Sequence, residues 1–273
     1  MARLADALRS QLEGAREALA SVLFPAPCRI CGRSLDTAGA VPFCRACVDS
    51  LQHTLQEPLC HRCGRPIVSD AVTESASQPL CHFCRGYEYA FDLARSFGAY
   101  TPNMARAILL LKYANVAPLG GWFARRLAEL VIAQPDMFQA DILVPVTLDE
   151  GRRRERGYNQ AELIAKPLAR LLRIPFRSCL LVRTRPRPNQ IRLTRRERWE
   201  TVRGAYATHQ TAQVDKLRVL LLDDVFTTGA TLDACSKALK GAGAARVVSL
   251  TVARALPLLP GVVTGSQEWD LGE

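Results

Sequence analysis

Eight of the chain's ten cysteines fall into four Cys-x-x-Cys pairs, Cys28/Cys31, Cys44/Cys47, Cys60/Cys63 and Cys81/Cys84. A Cys-x-x-Cys turn points two thiolates at one ion, and two such turns complete the tetrahedral four-cysteine site of a zinc ribbon. Gly32 and Gly64 each follow the second cysteine of a pair, where the chain can fold back with backbone N–H groups facing the sulfurs. The reading is two structural zinc ions. Sequential pairing, the simplest, puts Cys28, Cys31, Cys44 and Cys47 on one ion and Cys60, Cys63, Cys81 and Cys84 on the other; interleaved pairing satisfies the same spacing. A disulfide framework is the competing reading, and it requires an oxidising compartment. Arg3, Asp6, Arg9, Glu13 and Arg16 interrupt any apolar run near the N-terminus, which argues against a signal-peptide core or a membrane span. The expectation is therefore zinc, a cytoplasmic location and no membrane insertion. Metal binding would supply most of the folding energy of a segment with few apolar residues of its own. His61 and His82 sit inside two knuckles, where side chains more often face solvent. Cys179 and Cys235 lie outside the pattern and read as buried apolar residues rather than nucleophiles.

A chain of 273 residues accommodates two domains, one with a sizeable core. The cysteines divide it: residues 1–95 read as an N-terminal helix and double zinc ribbon, residues 96–273 as a second domain. Leu4, Leu8, Leu12, Ala15, Leu19 and Val22 form a helical stripe. Its opposite face mixes both charge signs, which suits docking on a partner or on the ribbon better than on a membrane. Further along, strands are expected at 142–146, 216–222 and 246–253, with a weaker one at 179–183, and helices at 103–113, 120–133, 159–172 and 230–241. Such alternation predicts an α/β domain with a mostly parallel sheet and right-handed crossovers. The tail beyond Pro260 reads as frayed chain.

Within that domain, Leu220-Leu221-Leu222-Asp223-Asp224-Val225-Phe226-Thr227-Thr228-Gly229-Ala230-Thr231 joins an apolar strand to a phosphate cradle through two carboxylates. Thr227, Thr228, Gly229 and Thr231 place hydroxyls and backbone N–H groups at a helix N-terminus, where unpaired amides and the dipole favour an anion. Asp223 and Asp224 stand at the carboxyl end of the strand, where open α/β sheets bind ligands, and carboxylates accept from vicinal sugar hydroxyls. A solvated strand end before an ordinary capped turn is the competing reading. Adjacent acids repel, however, so the pair calls for a cationic or hydroxylic partner. The stretch reads as a ribose-phosphate site.

Net charge is +10 and unevenly placed. Arg152, Arg153, Arg154 and Arg156 form one cluster; Arg183, Arg185, Arg187, Arg192, Arg195, Arg196, Arg198 and Arg203 form another. A solvated face is the usual fate of charge runs. Here both clusters fall in the domain with the phosphate cradle, and arginine suits forked contacts to phosphate oxygens.

The 220–231 stretch resembles the phosphoribosyl pyrophosphate (PRPP) motif of type I phosphoribosyltransferases, and the whole chain resembles the ComF family of bacterial ComF and GntX-like proteins. The likeness rests on the order of short pieces: the cysteine pairs, Leu111-Lys112-Tyr113, Val144-Pro145-Val146, Arg156-Gly157-Tyr158-Asn159-Gln160, Arg183-Thr184-Arg185, residues 190–198 and the Asp223-Asp224 motif. The resemblance implies a double zinc ribbon followed by a type I phosphoribosyltransferase-like, mostly parallel sheet flanked by helices. It implies that Asp223 and Asp224 hold ribose hydroxyls while Thr227, Thr228, Gly229, Ala230 and Thr231 hold the 5′-phosphate. Residues 145–159 correspond to a pyrophosphate loop and 183–203 to a closing loop. Lys112, Arg152, Arg156, Arg183, Arg185, Arg195 and Arg198 are then the anion-binding set, with Mg2+ accompanying PRPP. Thr147 and Thr201 depart from the family pattern, where a second proline and an asparagine are usual. The implied function is handling of single-stranded DNA during uptake in natural transformation, with Tyr158, Trp199 and Tyr206 available to stack on bases. An active phosphoribosyltransferase of unknown acceptor, and a zinc-ribbon interaction module for an uptake helicase or pore component, stay open. No residue identifies itself as a general base.

Overall fold

The computed structural model describes residues 27–35, 41–52, 55, 57–67, 78–185, 195–209 and 213–256, without the side chains of Arg195 and Arg198. The N-terminal leucine stripe, Arg187, Arg192 and the tail beyond Pro260 lie outside the described residues. By packing, the chain forms two units, Met1–His53 and Thr54–Glu273. The sequence boundary near residue 95 follows the cysteines; the packing boundary leaves the last four of them in the larger unit.

In the smaller unit Cys28 N–H bonds the Arg33 carbonyl at 2.7 Å and Gly32 N–H returns to the Cys28 carbonyl at 2.8 Å. Helix α1 (Arg45–Ser50) carries Cys47, and the Ser50 hydroxyl closes its end on the Cys47 carbonyl. The larger unit repeats the device. Cys60 N–H bonds the Arg65 carbonyl, Gly64 N–H the Cys60 carbonyl, and the short helix α2 (His82–Gly86) carries Cys84.

The chain then enters an α/β layer. Its elements are β1 (Leu93–Ala99), α3 (Pro102–Tyr113), α4 (Pro118–Ala133), β2 (Ile142–Pro145), α5 (Glu150–Arg156), α6 (Gln160–Leu172), β3 (Leu181–Arg183), α7 (Arg195–Val202), β4 (Tyr206–Thr208), β5 (Arg218–Phe226), α8 (Ala230–Gly241) and β6 (Arg246–Arg254). Four strands form one parallel sheet in the order β1-β6-β5-β2, and β3 and β4 form a separate antiparallel pair. Leu220, Leu221, Leu222, Val247, Leu250 and Val252 are fully buried, as unbroken apolar runs in a covered parallel sheet must be. The helices start where their caps allow: Thr101 accepts from Met104 N–H ahead of Pro102, Asp149 from Arg152 N–H, and Asn159 from Ala161 N–H.

The expected strands and helices are present, with shifts of a few residues. Strand β1 was not among them, because Arg95, Ser96 and Gly98 break its apolar run. Cys235 is buried, but Cys179 is exposed: it occupies the turn before β3, where Leu180 and Leu181 take the inward positions.

Candidate functional site

Pairing between β2 and β5 stops at Pro145 and Leu222, so Asp223 and Asp224 stand beyond the end of β2 while β6 continues alongside them. This is the carboxyl edge of the sheet, where parallel α/β folds take their ligands. The two carboxylates have different surroundings. Asp224 is 5% exposed, and its Oδ2 receives the Lys112 ammonium at 2.9 Å and the Gln160 amide at 3.0 Å. Asp223 is half-buried, and its Oδ1 accepts from the Asp224 backbone N–H at 2.8 Å. The cation that the acid pair calls for is supplied by the chain itself, from the last turn of α3.

From Gln160 the network runs outward. Arg156 donates from Nη1 to the Gln160 side-chain oxygen at 3.4 Å and from Nη2 to the Tyr113 hydroxyl at 2.8 Å, lying 4.5 Å above that ring. The Tyr158 hydroxyl donates to the Leu111 carbonyl at 2.7 Å, and Asn159 Nδ2 to the Val146 carbonyl at 2.9 Å. Two short motifs distant in sequence are thus bonded into one wall of the site. Burial, with the Asp224 charge beside it, pushes the Tyr100 phenol up to about 12.

Gly229 precedes α8 with φ +84°, and a Cβ there would meet Phe226 Cζ and Tyr89 Cε1, each at 2.8 Å. Only glycine fits between those rings. The Thr228 hydroxyl accepts from Ala230 N–H at 3.3 Å, and the Thr228 carbonyl accepts from the Tyr89 hydroxyl at 3.0 Å. Helix geometry leaves the Thr231 and Leu232 amides without intrahelical partners, ready for an anion. Thr227 to Thr231 therefore curl around one helix end beside the acids, as a phosphate cradle would.

The remaining arginines are spread. Arg152 lies on α5, 4.0 Å from the Asp149 carboxylate. Arg183 turns into the β3–β4 hairpin, donating to the Tyr206 hydroxyl and the Arg185 carbonyl, each at 2.8 Å. Arg185 reaches the Arg203 carbonyl at 3.5 Å. Arg195 and Arg198 belong to α7, with side chains outside the described residues. Burial pushes the Tyr206 phenol up, and burial, then the Asp223 charge, pushes the Cys235 thiol up. The departures from the family pattern are absorbed locally: Thr147 donates to the Leu181 carbonyl at 2.8 Å and Thr201 to the Glu197 carbonyl at 2.7 Å. Trp199 packs edge-on against Tyr87 at 4.7 Å and lies 5.8 Å from Tyr89, so it belongs to an aromatic cluster with them.

The cysteines gather sequentially. Cys28, Cys31, Cys44 and Cys47 form one group and Cys60, Cys63, Cys81 and Cys84 the other, all sulfurs of a group within 4.8 Å of one another. Sulfur separations of 3.6 Å (Cys31 to Cys44) and 3.7 Å (Cys63 to Cys81) match the edge of a tetrahedron with metal–sulfur bonds of about 2.3 Å. Both groups fit structural zinc. At the second, Arg254 donates to the Cys63 carbonyl at 2.5 Å and to Cys63 Sγ at 3.3 Å, and Arg95 donates to the Cys60 and His61 carbonyls at 3.4 and 2.9 Å. A zinc centre with four thiolate ligands carries a net charge of about −2, which these guanidinium groups balance. Nothing local in the sequence marks Arg254 or Arg95 for this task; the only signal is an arginine inside or ending an otherwise apolar strand.

Residues 19–85 match the double zinc ribbon domain family and residues 159–256 the phosphoribosyl transferase domain family. Competence protein F of Haemophilus influenzae is 29% identical over 222 residues, which cover 78% of this chain and 85% of that protein. The DNA utilization protein YhgH of Salmonella typhimurium is 26% identical over 216 residues, covering 78% of this chain and 90% of that one. Among solved structures, the adenine phosphoribosyltransferase of Saccharomyces cerevisiae is 15% identical and aligns with 49% of this chain and 68% of its own, at a TM-score of 0.33.

Proposed function

The chain belongs to the ComF family, with a double zinc ribbon ahead of a type I phosphoribosyltransferase-like domain, and from that premise we propose that it binds PRPP with Mg2+ and handles single-stranded DNA during uptake. The observation that carries the first half is the join of Asp223 and Asp224 to a glycine-pinched helix N-terminus at the carboxyl edge of the sheet. Asp223 takes the ribose hydroxyls, and the Thr227–Thr231 turn takes the 5′-phosphate. Asp224 is spent on Lys112 and Gln160 and holds the wall in place. Lys112 and Arg156 provide positive charge beside the position of a departing pyrophosphate, which supports the enzymatic alternative, transfer from PRPP to an acceptor.

The DNA half draws on the names of the relatives, the net charge of +10 and the arginines of α5, where Arg153 and Arg154 are exposed. Among the described residues, no helix is long and apolar enough to cross a membrane. A cytoplasmic site of action, at the exit of an uptake pore or beside a helicase, is part of the same proposal.

Calorimetric titration of PRPP and Mg2+ into the wild type and Asp223→Ala tests the ligand. Micromolar binding weakened at least about 100-fold in the variant is the expected result. No heat from the wild type would overturn the proposed site. Pyrophosphate release in the same mixtures would identify an enzyme. A DNA affinity that falls steeply with salt and ignores Asp223→Ala would place DNA on the arginine surface.

A further inference from the structure

The last cysteine of the second centre is followed at once by Tyr87, Tyr89, Ala90 and Phe91, and these residues touch the phosphate turn rather than leading away from it. Tyr89 donates its hydroxyl to the Thr228 carbonyl at 3.0 Å, stacks on Phe91 at 4.6 Å and leaves no room for a Cβ at Gly229. Tyr87 donates to the Asp233 carboxylate at 3.0 Å and Ala90 N–H to its other oxygen at 2.7 Å, which fixes the first turn of α8. Gly229 is closed in from the other side by Phe226, whose ring lies beneath the Arg254 guanidinium at 4.0 Å. Arg254 in turn holds the Cys63 carbonyl and sulfur.

We propose that Tyr89 and Arg254 are positioning residues through which the second four-cysteine centre sets the shape of the phosphate turn. The centre grips the turn at two places: through the chain that leaves Cys84, and through Arg254, at the end of β6, which donates to Cys63. Arg254 is 1% exposed. It keeps its place over Phe226 because the metal-bound thiolates need its charge. If the centre empties, Arg254 loses the thiolate charge it faces and keeps only the Cys63 carbonyl, and the Phe226 side of the clamp opens. The first centre, Cys28, Cys31, Cys44 and Cys47, belongs to the other, smaller unit. Only the ligand named in the test rests on the phosphate-site reading; the mechanical link does not.

The test is amide hydrogen exchange of full-length, zinc-loaded protein, followed by mass spectrometry of peptides spanning 223–235, with ribose 5-phosphate titrated in parallel. Tyr89→Phe, which removes one hydroxyl, and Arg254→Lys, which keeps the charge but loses the fork, are the mild variants. Each is expected to keep two zinc ions per chain, to raise exchange across 227–233 several-fold and to weaken ribose 5-phosphate about 3- to 10-fold. Cys63→Ser should do the same more strongly, and Cys31→Ser should leave these peptides unchanged. Wild-type exchange in both mild variants would overturn the proposal, as would equal effects from Cys31→Ser. Faster exchange in a protein whose wild type binds no ribose 5-phosphate would uphold the link and overturn the ligand reading alone.

Discussion

The two four-cysteine centres are built from the same local pattern and live in different surroundings. Both use Cys-x-x-Cys-Gly turns, both close the turn with an N–H from the glycine, and both place the fourth cysteine on a helix of one or two turns. At the first, Cys31 is exposed and Cys44 half-buried; at the second, all four cysteines are buried. The only buried arginines among the described residues, Arg95 and Arg254, serve the second. The spacing of ligands therefore specifies a metal site but not its task. The first centre lies within its own small unit, whereas the second packs close to the turn from β5 to α8 that we propose holds phosphate.

Metal removal gives the largest contrast. Structural zinc contributes on the order of 10 kcal/mol to domains of this kind. Cys63→Ser should lower the calorimetric midpoint of the α/β unit by more than about 10 °C, while Cys31→Ser leaves that transition where it is. Equal shifts would break the comparison. Next in size is Arg254→Met, which leaves the thiolate charge unpaired in a buried place and should cost about 3–5 kcal/mol in urea denaturation. A cost under about 1 kcal/mol would mean that water or backbone dipoles, not Arg254, balance the centre.

The matched glycines sharpen the contrast at lower energy. Gly32 has φ +79° and open space around it, whereas Gly64 has φ +66° and a Cβ there would lie 2.8 Å from the Ala94 carbonyl. Gly32→Ala should cost only the left-handed conformation, about 1–2 kcal/mol. Gly64→Ala must also push the knuckle off β1, adding about 1–3 kcal/mol. Equal costs would show that the knuckle moves away from the sheet freely.

Much of this was legible in the sequence, and the gaps have physical causes. The turn from β5 to α8 could be read because each residue there does local work: apolar strand, acids, hydroxyls, glycine, amphipathic helix. The zinc ligands were legible for the same reason. The Lys112 to Asp224 pair was not, because it joins α3 to β5 across more than a hundred residues and only the folded sheet brings them together. Strand β1 was missed because Arg95 sits at a position that an isolated reading assigns to solvent; its burial makes sense only once the Cys60 knuckle lies upon it. Trp199 illustrates the opposite case. Aromatics beside arginines suggest stacking surfaces for bases, yet here Trp199 is spent on the cluster with Tyr87 and Tyr89.

The smallest contrast comes from two ion pairs of the same helical spacing. Arg45 and Asp49 on α1 approach to 3.3 Å with side chains 90% and 56% exposed. Lys237 and Asp233 on α8 approach to 2.8 Å, with the lysine 59% and the aspartate 2% exposed. Solvent screens the first pair and side-chain entropy opposes it, so Arg45→Ala should cost no more than about 0.5 kcal/mol and nothing at high salt. Lys237→Ala withdraws one partner from a buried carboxylate that Tyr87 and the Ala90 amide still serve, so a larger cost of about 1 kcal/mol should survive added salt. Urea denaturation of both variants at low and high salt reads the difference directly. If the two costs vanish together in salt, Asp233 is served well enough by Tyr87 and Ala90 alone, and the grip of the second centre on α8 is a matter of hydrogen bonds rather than charge.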